Sequence, residues 1–292
     1  MNSTLKEFLP RENENWDMVI EPKRNLLDLR LGELWRARDL VMLFVWRDFV
    51  SFYKQTILGP LWYIIQPLLT TVVFTFIFGN VAKLPTGGQP QFLFYLSGTV
   101  IWSYFAACIT KTADTFITNT QLFGKVYFPR MAVPVSILIS NLITFGIQFF
   151  LFLAFMGYFA LQGSLLHPNW WMLITPLLIM MMAGLGLGFG IIISSLTTKY
   201  RDLRFLVTFG VTLLMYATPA ILPLSSFPQR FRWIILANPM TPIMETFRYA
   251  YLGGAGTVNI PDLAYSFGFM LVVVIIGTVI FNRVEATFMD TV

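Results

Sequence analysis

Between Lys54 and Pro67 the chain reads KQTILGPLWYIIQP. Inside that stretch the polypeptide changes character. Upstream it is charged and amphipathic; downstream it is almost unbroken hydrocarbon. Gly59-Pro60 marks the corner. Pro60 suits the first turn of a new helix, where a missing N–H costs nothing. Gly59 lets the preceding backbone turn without a Cβ penalty. Pro67 falls inside the apolar run, which lipid tolerates where a neighbouring helix or a polar side chain meets the freed carbonyl. The stretch reads as a water-facing surface running into a first membrane span.

Downstream, six runs are long enough to cross the hydrocarbon, which takes about 20 residues each. They are Leu61–Val81, Phe92–Thr110, Val133–Leu161, Trp170–Leu196, Phe205–Pro223 and Leu263–Phe281. The third is over-long and must tilt or extend beyond the bilayer. Composition agrees. Of 292 residues, 56% are hydrophobic and 12% charged, half the roughly 25% charged residues of a soluble domain. The fold class is an all-α integral membrane protein, with a six-span body over 56–292.

Upstream, residues 1–30 are polar and of mixed charge and read as a tail. Over Leu31–Gln55 the period is helical. Leu34, Trp35, Val41, Met42, Val45, Trp46, Phe49 and Tyr53 share one broad face; Arg36, Arg47, Asp48, Ser51 and Lys54 share the other. This describes a helix lying in the headgroup plane, with rings inward and charges outward. Leu40–Trp46 is too short to span, so no secretory leader is expected.

Basic residues orient the spans. Sixteen of the twenty Lys and Arg fall on the side that carries both termini and the loops Lys111–Arg130 and Lys199–Arg204; four fall on the other. Both termini are therefore expected in the cytoplasm. The outer segment Pro223–Asp262 is far from polar. Phe227–Ala237 and Met240–Leu252 are short apolar pieces divided by Asn238-Pro239 and Pro242. They read equally as re-entrant helices or as an external amphipathic hairpin. Glu245 and Arg248, three apart, are placed to pair on one helix face.

Several chemistries lack their residues. Cys108 is alone, so no disulfide forms within the chain. His167 is the one histidine, and no Cys/His group has metal spacing. No P-loop or G-x-S-x-G motif occurs. The charge distribution fits membrane topology rather than nucleic acid. Gly184–Gly190 reads GLGLGFG inside a span, where small residues let helices approach closely. No charged residue is expected at a membrane midplane, which argues against a proton-coupled carrier. A membrane-embedded lipid-sugar transferase stays open as an alternative, resting on Asp114, Asp202, Glu245 and Asp262.

The spans do carry uncharged polar groups beside rings. Gln66, Thr70 and Thr71 lie with Tyr63, Phe74 and Phe78 in the first. Tyr95, Trp102, Tyr104 and Phe105 crowd the second. Asn141, Thr144 and Gln148 share a face of the third. Rings with amides and hydroxyls suit a neutral, hydroxyl-rich polymer, although belts of Trp and Tyr occur in membrane proteins generally. The loops QLFGKVYFPR (Gln121–Arg130) and TTKYRDLR (Thr197–Arg204) mix basic residues with rings, as a docking surface for a soluble partner does.

RDFVSFYKQTILGPLWYIIQPLLTTVVFTFIFG (Arg47–Gly79), KVYFPRMAVP (Lys125–Pro134), TTKYRDLR and the group Asn238-Pro239 with Pro242 together resemble the transmembrane permease of bacterial polysaccharide ABC exporters. This is the type-two class that moves O-antigen, capsule and teichoic acid polymers. The resemblance implies six spans and a homodimer with two cytoplasmic ATP-binding-cassette subunits that hold the ATP and Mg; no cofactor is implied on this chain. It implies a polyprenyl-pyrophosphate-linked polysaccharide as cargo, a drug or lipid being the alternative, and a bacterial inner-membrane location. It makes 31–55 the interface helix. ATPase coupling would fall to Gln121, Leu122, Phe123, Gly124, Lys125, Tyr127 and Phe128, with Lys199, Tyr200, Arg201 and Asp202 as a second contact. The channel would be lined by Tyr63, Gln66, Thr70, Phe74, Tyr95, Trp102, Tyr104 and Phe105. Arg47 and Lys54 would attract the lipid pyrophosphate, and Trp233, Asn238, Pro239, Glu245 and Arg248 would belong to external gate helices.

Overall fold

The computed structural model describes residues 31–291, apart from residues 55, 56, 126, 127, 165, 199, 201 and 255. The 1–30 tail therefore lies outside the described residues. The described chain is all helix and connection. The helices are α1 (Leu31–Arg36), α2 (Arg38–Lys54), α3 (Trp62–Phe74), α4 (Gln91–Ala113), α5 (Thr115–Thr118), α6 (Thr120–Lys125), α7 (Ala132–Leu161), α8 (Thr175–Thr197), α9 (Leu203–Tyr216), α10 (Gln229–Ala237), α11 (Met240–Leu252) and α12 (Ile260–Thr291).

Among the described residues, five helical stretches are long and apolar enough to cross a membrane: Gly59–Val81, Gln91–Ala113, Ala132–Leu161, Trp170–Thr197 and Ile260–Val284. The corner before the first is built as expected. Gly59 sits at φ 51°, and Pro60 opens a short 3-10 turn that leads into α3. The first span then widens to a π-helical turn over Thr75–Val81. Gln91 closes on that turn, its Nε2 donating to the Gly79 carbonyl at 3.3 Å.

Two expected elements take a different form. The helix expected over 31–55 divides at Ala37 into α1 and α2, with the bonds from Ala37 N–H to Glu33 O and from Val41 N–H to Ala37 O running through the division. The expected fifth span, Phe205–Pro223, is a 14-residue helix, α9, followed by irregular chain. At 1.5 Å per residue α9 covers roughly 21 Å, short of the bilayer core. Pro219 ends it, because the residue before a proline is pushed out of the helical region.

The body is a row of helices, α12 on α8, α8 on α4 and α4 on α7, with α3 against α4 and α7 and α9 against α4 and α8. The glycine run explains how α8 sits between two neighbours. Gly184 and Gly188 face Met270 and Val273 of α12, while Gly186 and Gly190 face Cys108 and Thr112 of α4. Spaced by four, each pair makes one flat helix face.

The molecule has two distinct ends. One, here the basic end, gathers α2, α5, α6, the start of α7 and the far end of α12 around Phe44, Phe116, Phe123, Phe128 and Phe281. The opposite end holds α10, α11 and the starts of α4, α8 and α12. The α2 helix has two apolar faces rather than one. Val41, Phe44 and Val45 pack into the basic end, while Met42, Leu43 and Trp46 stay exposed, Trp46 at 64%. The second set suits a headgroup layer.

Candidate functional site

A cavity of about 370 Å³ opens between α3, α4 and α7, with Met215 of α9 at its side. Three polar ridges line it. From α3 come Tyr63, Gln66 and Thr70; from α7 come Asn141, Thr144 and Gln148; from α4 come Thr99, Ser103, Ala107 and Lys111. Each ridge follows helical spacing, and the α4 ridge repeats every fourth residue. Ser103 Oγ donates to Gln148 Oε1 at 2.7 Å, and Lys111 Nζ donates to Asn141 Oδ1 at 2.8 Å. Cross-helix bonds of this kind hold the walls in register. Apart from Lys111 the lining is uncharged. Such a surface offers donors, acceptors and ring faces, and asks for no charge in return.

Of the residues expected to line a channel, Tyr63, Gln66, Thr70, Trp102 and Tyr104 meet at this cavity. The other three do not. Phe74 and Tyr95 meet edge-to-face in a separate ring cluster with Phe78, and Phe105 is enclosed in the core beside Trp102. Ser103 and Lys111 were missed as lining residues. Their fourfold spacing with Thr99 and Ala107 was the readable signal.

The basic end carries the expected docking loop, but the structure turns its rings inward. Phe123 is 3% exposed, with ring centroids 5.7 Å from both Phe116 and Phe128, and Arg130 caps it at 5.6 Å. Phe128 is also buried, against Phe44 of α2. These side chains avoid solvent by packing on their own chain, so they do not form the exposed surface expected of them. Leu122 is half-buried; Gln121, Tyr200 and Asp202 are exposed. Tyr127, Lys199 and Arg201 lie outside the described residues, as do the side-chain details of Gly124 and Lys125. The second loop is tied to the end of α4. Arg204 Nη2 lies 3.1 Å from Asp114 Oδ2, and Thr197 Oγ1 donates to the Ala113 carbonyl at 3.3 Å.

A test of docking must respect this burial. Phe123→Asp places a carboxylate in a ring cluster and is expected to cost about 3 kcal/mol or more. It should lower the yield of folded chain, which size-exclusion chromatography in detergent reads directly. Gln121→Trp changes only the exposed face of α6. It should leave that elution profile unchanged while reducing recovery of a bound soluble partner several-fold.

Of the expected pyrophosphate contacts, Arg47 is already engaged. Its Nη2 lies 2.8 Å from Asp48 Oδ1, and its guanidinium stacks 4.9 Å from the Phe44 ring centroid. Lys54 is exposed.

At the opposite end the expected gate residues divide. Trp233 on α10 is 69% exposed. Asn238 joins the two short helices, accepting from the Met240 N–H at 3.0 Å and donating to Thr218 Oγ1 at 2.9 Å; Pro239 is buried. Glu245 and Arg248 make no ion pair with each other; both are buried struts. Arg248 donates to the Pro219 and Ala220 carbonyls, the latter at 2.7 Å, and its Nε reaches Ser97 Oγ at 3.3 Å. It also lies 3.8 Å over the Phe94 ring. Glu245 Oε1 accepts from the Leu224 N–H at 3.3 Å. Burial pushes the Glu245 carboxyl up from its ordinary value, against the pull of Arg248.

The four acidic residues on which an enzyme would rest are not brought together. Asp114 pairs with Arg204, Asp202 is exposed at the basic end, Glu245 holds the α9–α10 connection, and Asp262 accepts from Asn259 at 2.7 Å.

A multi-span helical body with a polar cavity, uncharged apart from Lys111, suits a membrane transport subunit. The chain belongs to the ABC-2 type transporter family, whose model matches residues 39–252, from α2 through α11. It is 29% identical to the O-antigen export system permease protein RfbA of Klebsiella pneumoniae, over 86% of this chain and 94% of that protein. It is 28% identical to the RfbA permease of Myxococcus xanthus, over 74% of this chain and 81% of that one. It is also similar to the polysialic acid transport protein KpsM of Escherichia coli, at 25% identity over 78% and 86% of the two chains.

Proposed function

We propose that this chain is the membrane half of an ATP-driven exporter of a polysaccharide of the O-antigen class. The observation that carries the reading is similarity, over 81–94% of their length, to proteins named for polysaccharide export or transport. The hydroxyl- and amide-lined cavity, uncharged apart from Lys111, supports it, since sugars present hydroxyls and C–H faces and little charge. In this reading the basic end faces the cytoplasm and the protein sits in the inner membrane. Two copies of the chain and two ATPase subunits form the working unit, with ATP and Mg held by the ATPases. The cargo is a polymer on a polyprenyl diphosphate. The enzyme alternative loses ground because its acidic residues are scattered.

Affinity purification from native membranes in mild detergent tests the reading. The expected result is co-elution of a P-loop ATPase at one copy per permease, and loss of surface polymer from cells that lack this chain. A chain that elutes alone, from cells whose surface polymer is unaffected by its deletion, would overturn it.

A further inference from the structure

Lys111 breaks the neutrality of the cavity, and nothing in the transport reading so far uses it. It stands in the last turn of α4, where a lysine ordinarily runs outward to the headgroups. Here its ammonium turns across to α7 and bonds Asn141. That bond uses one of the three donors an ammonium carries. Asn141 is 2% exposed, and its Nδ2 has no acceptor. An ammonium and an amide N–H therefore stand side by side with donor capacity to spare. Asp48, a carboxylate within electrostatic reach, is held by Arg47 at 2.8 Å, and Asp114 at the end of the same helix is held by Arg204 at 3.1 Å. Among the described lining residues the cavity has no acid.

We propose that Lys111 and Asn141 form an oxyanion-binding point at the basic end of the cavity. It takes a phosphoryl oxygen, while Ser103, Gln148 and Thr144 beyond it meet the neutral part of the same molecule. A buried amide beside a compact cation gives charge-assisted hydrogen bonds, the stronger class. The site rests on the transport reading for its cargo, and it places phosphate recognition inside the bundle rather than on α2. The phosphoryl group comes from a lipid-linked diphosphate or from free pyrophosphate.

The permease with its ATPase, in phosphatidylcholine nanodiscs, is titrated with polyprenyl diphosphate, with uncharged polyprenol and with inorganic pyrophosphate, reading intrinsic tryptophan fluorescence. The wild type should bind the diphosphate at least tenfold more tightly than the polyprenol. Lys111→Gln should bring that ratio near one, and Lys111→Arg should keep most of it. Asn141→Asp supplies a carboxylate that neutralises the ammonium without changing size, and should abolish the preference too. Arg230→Gln, exposed at the opposite end, should leave it intact. Competition by inorganic pyrophosphate would support the site as a reader of the free anion; a preference that survives pyrophosphate would support a lipid-borne source. An undiminished preference in both Lys111→Gln and Asn141→Asp overturns the proposal, as does a wild type with none. If polymer still fails to reach the surface when the gene is deleted, such a result sinks this site and leaves the transport reading standing.

Discussion

Arg248→Met is expected to give a chain that inserts but no longer holds its non-basic end together. Arg248 is fully buried, and its guanidinium carries the turn that follows α9. Methionine fills much of the volume but donates nothing, so the Pro219 and Ala220 carbonyls are left buried without a partner. Each costs about 1–3 kcal/mol. Loss of the stack on Phe94 removes about 2 kcal/mol more at a desolvated site. Relief from burying a charge offsets part of this. The net should still be several kcal/mol, read as a fall of roughly 10 °C in the thermal midpoint in detergent. Arg248→Lys should not rescue it, because one ammonium cannot reproduce the fork that reaches two carbonyls and a hydroxyl. The damage should be local. The α9–α10 connection, which Glu245 also holds through Leu224, should become accessible to protease, while the basic end keeps its protection. A midpoint within a degree or two of wild type would show that the carbonyls find other donors.

Gly188→Leu is expected to be still more damaging, since it strikes the α8–α12 seam. A Cβ at Gly188 would lie 2.9 Å from the Val273 carbonyl carbon and the Val274 nitrogen. Those are backbone atoms, so no side-chain rotation relieves the clash; the helices must separate. Overpacking one site costs about 1–3 kcal/mol when neighbours can adjust. Here the lost contact runs along the whole seam, and the folded chain should be nearly absent from detergent extracts. Gly186→Leu should behave alike, because its Cβ would meet Cys108 Cβ at 2.4 Å. The contrast is Gly146→Ala in α7, where nothing lies within 4 Å. That change should be neutral or stabilise by up to about 1 kcal/mol through helix propensity. Equal yields of Gly188→Leu and Gly146→Ala would show that α8 does not depend on its flat faces.

Both predictions turn on residues whose importance was only partly legible. The glycine run was readable as a packing device, because small residues at fourfold spacing have one geometric consequence. Which partner each face meets was not. Glu245 and Arg248 were readable as a pair three apart on one helix. The structure sends them to different backbone groups, a choice that depends on where α9 ends, and α9 ends early because of Pro219. The polar face of Asn141, Thr144 and Gln148 was legible from spacing alone, and it does line the cavity. Phe123 and Phe128 illustrate the opposite outcome. Aromatic residues in a polar loop must be covered, and the sequence does not say whether the cover is a partner or Phe44, Phe116 and Phe281 of the same chain.

Hydrophobic content, the lengths of the apolar runs, the corner at Gly59-Pro60 and the faces of each helix follow from the order of residues, because they depend on local backbone geometry and on transfer from water. Tertiary structure alone decided which apolar face meets protein and which meets lipid, since lipid and protein interior are alike to a hydrocarbon side chain. It also decided that α9 stops short, that Arg248 is a strut, and that Lys111 reaches across to Asn141. Each of those outcomes depends on hydrogen-bond partners that lie far away in the chain and come within reach only when the helices pack.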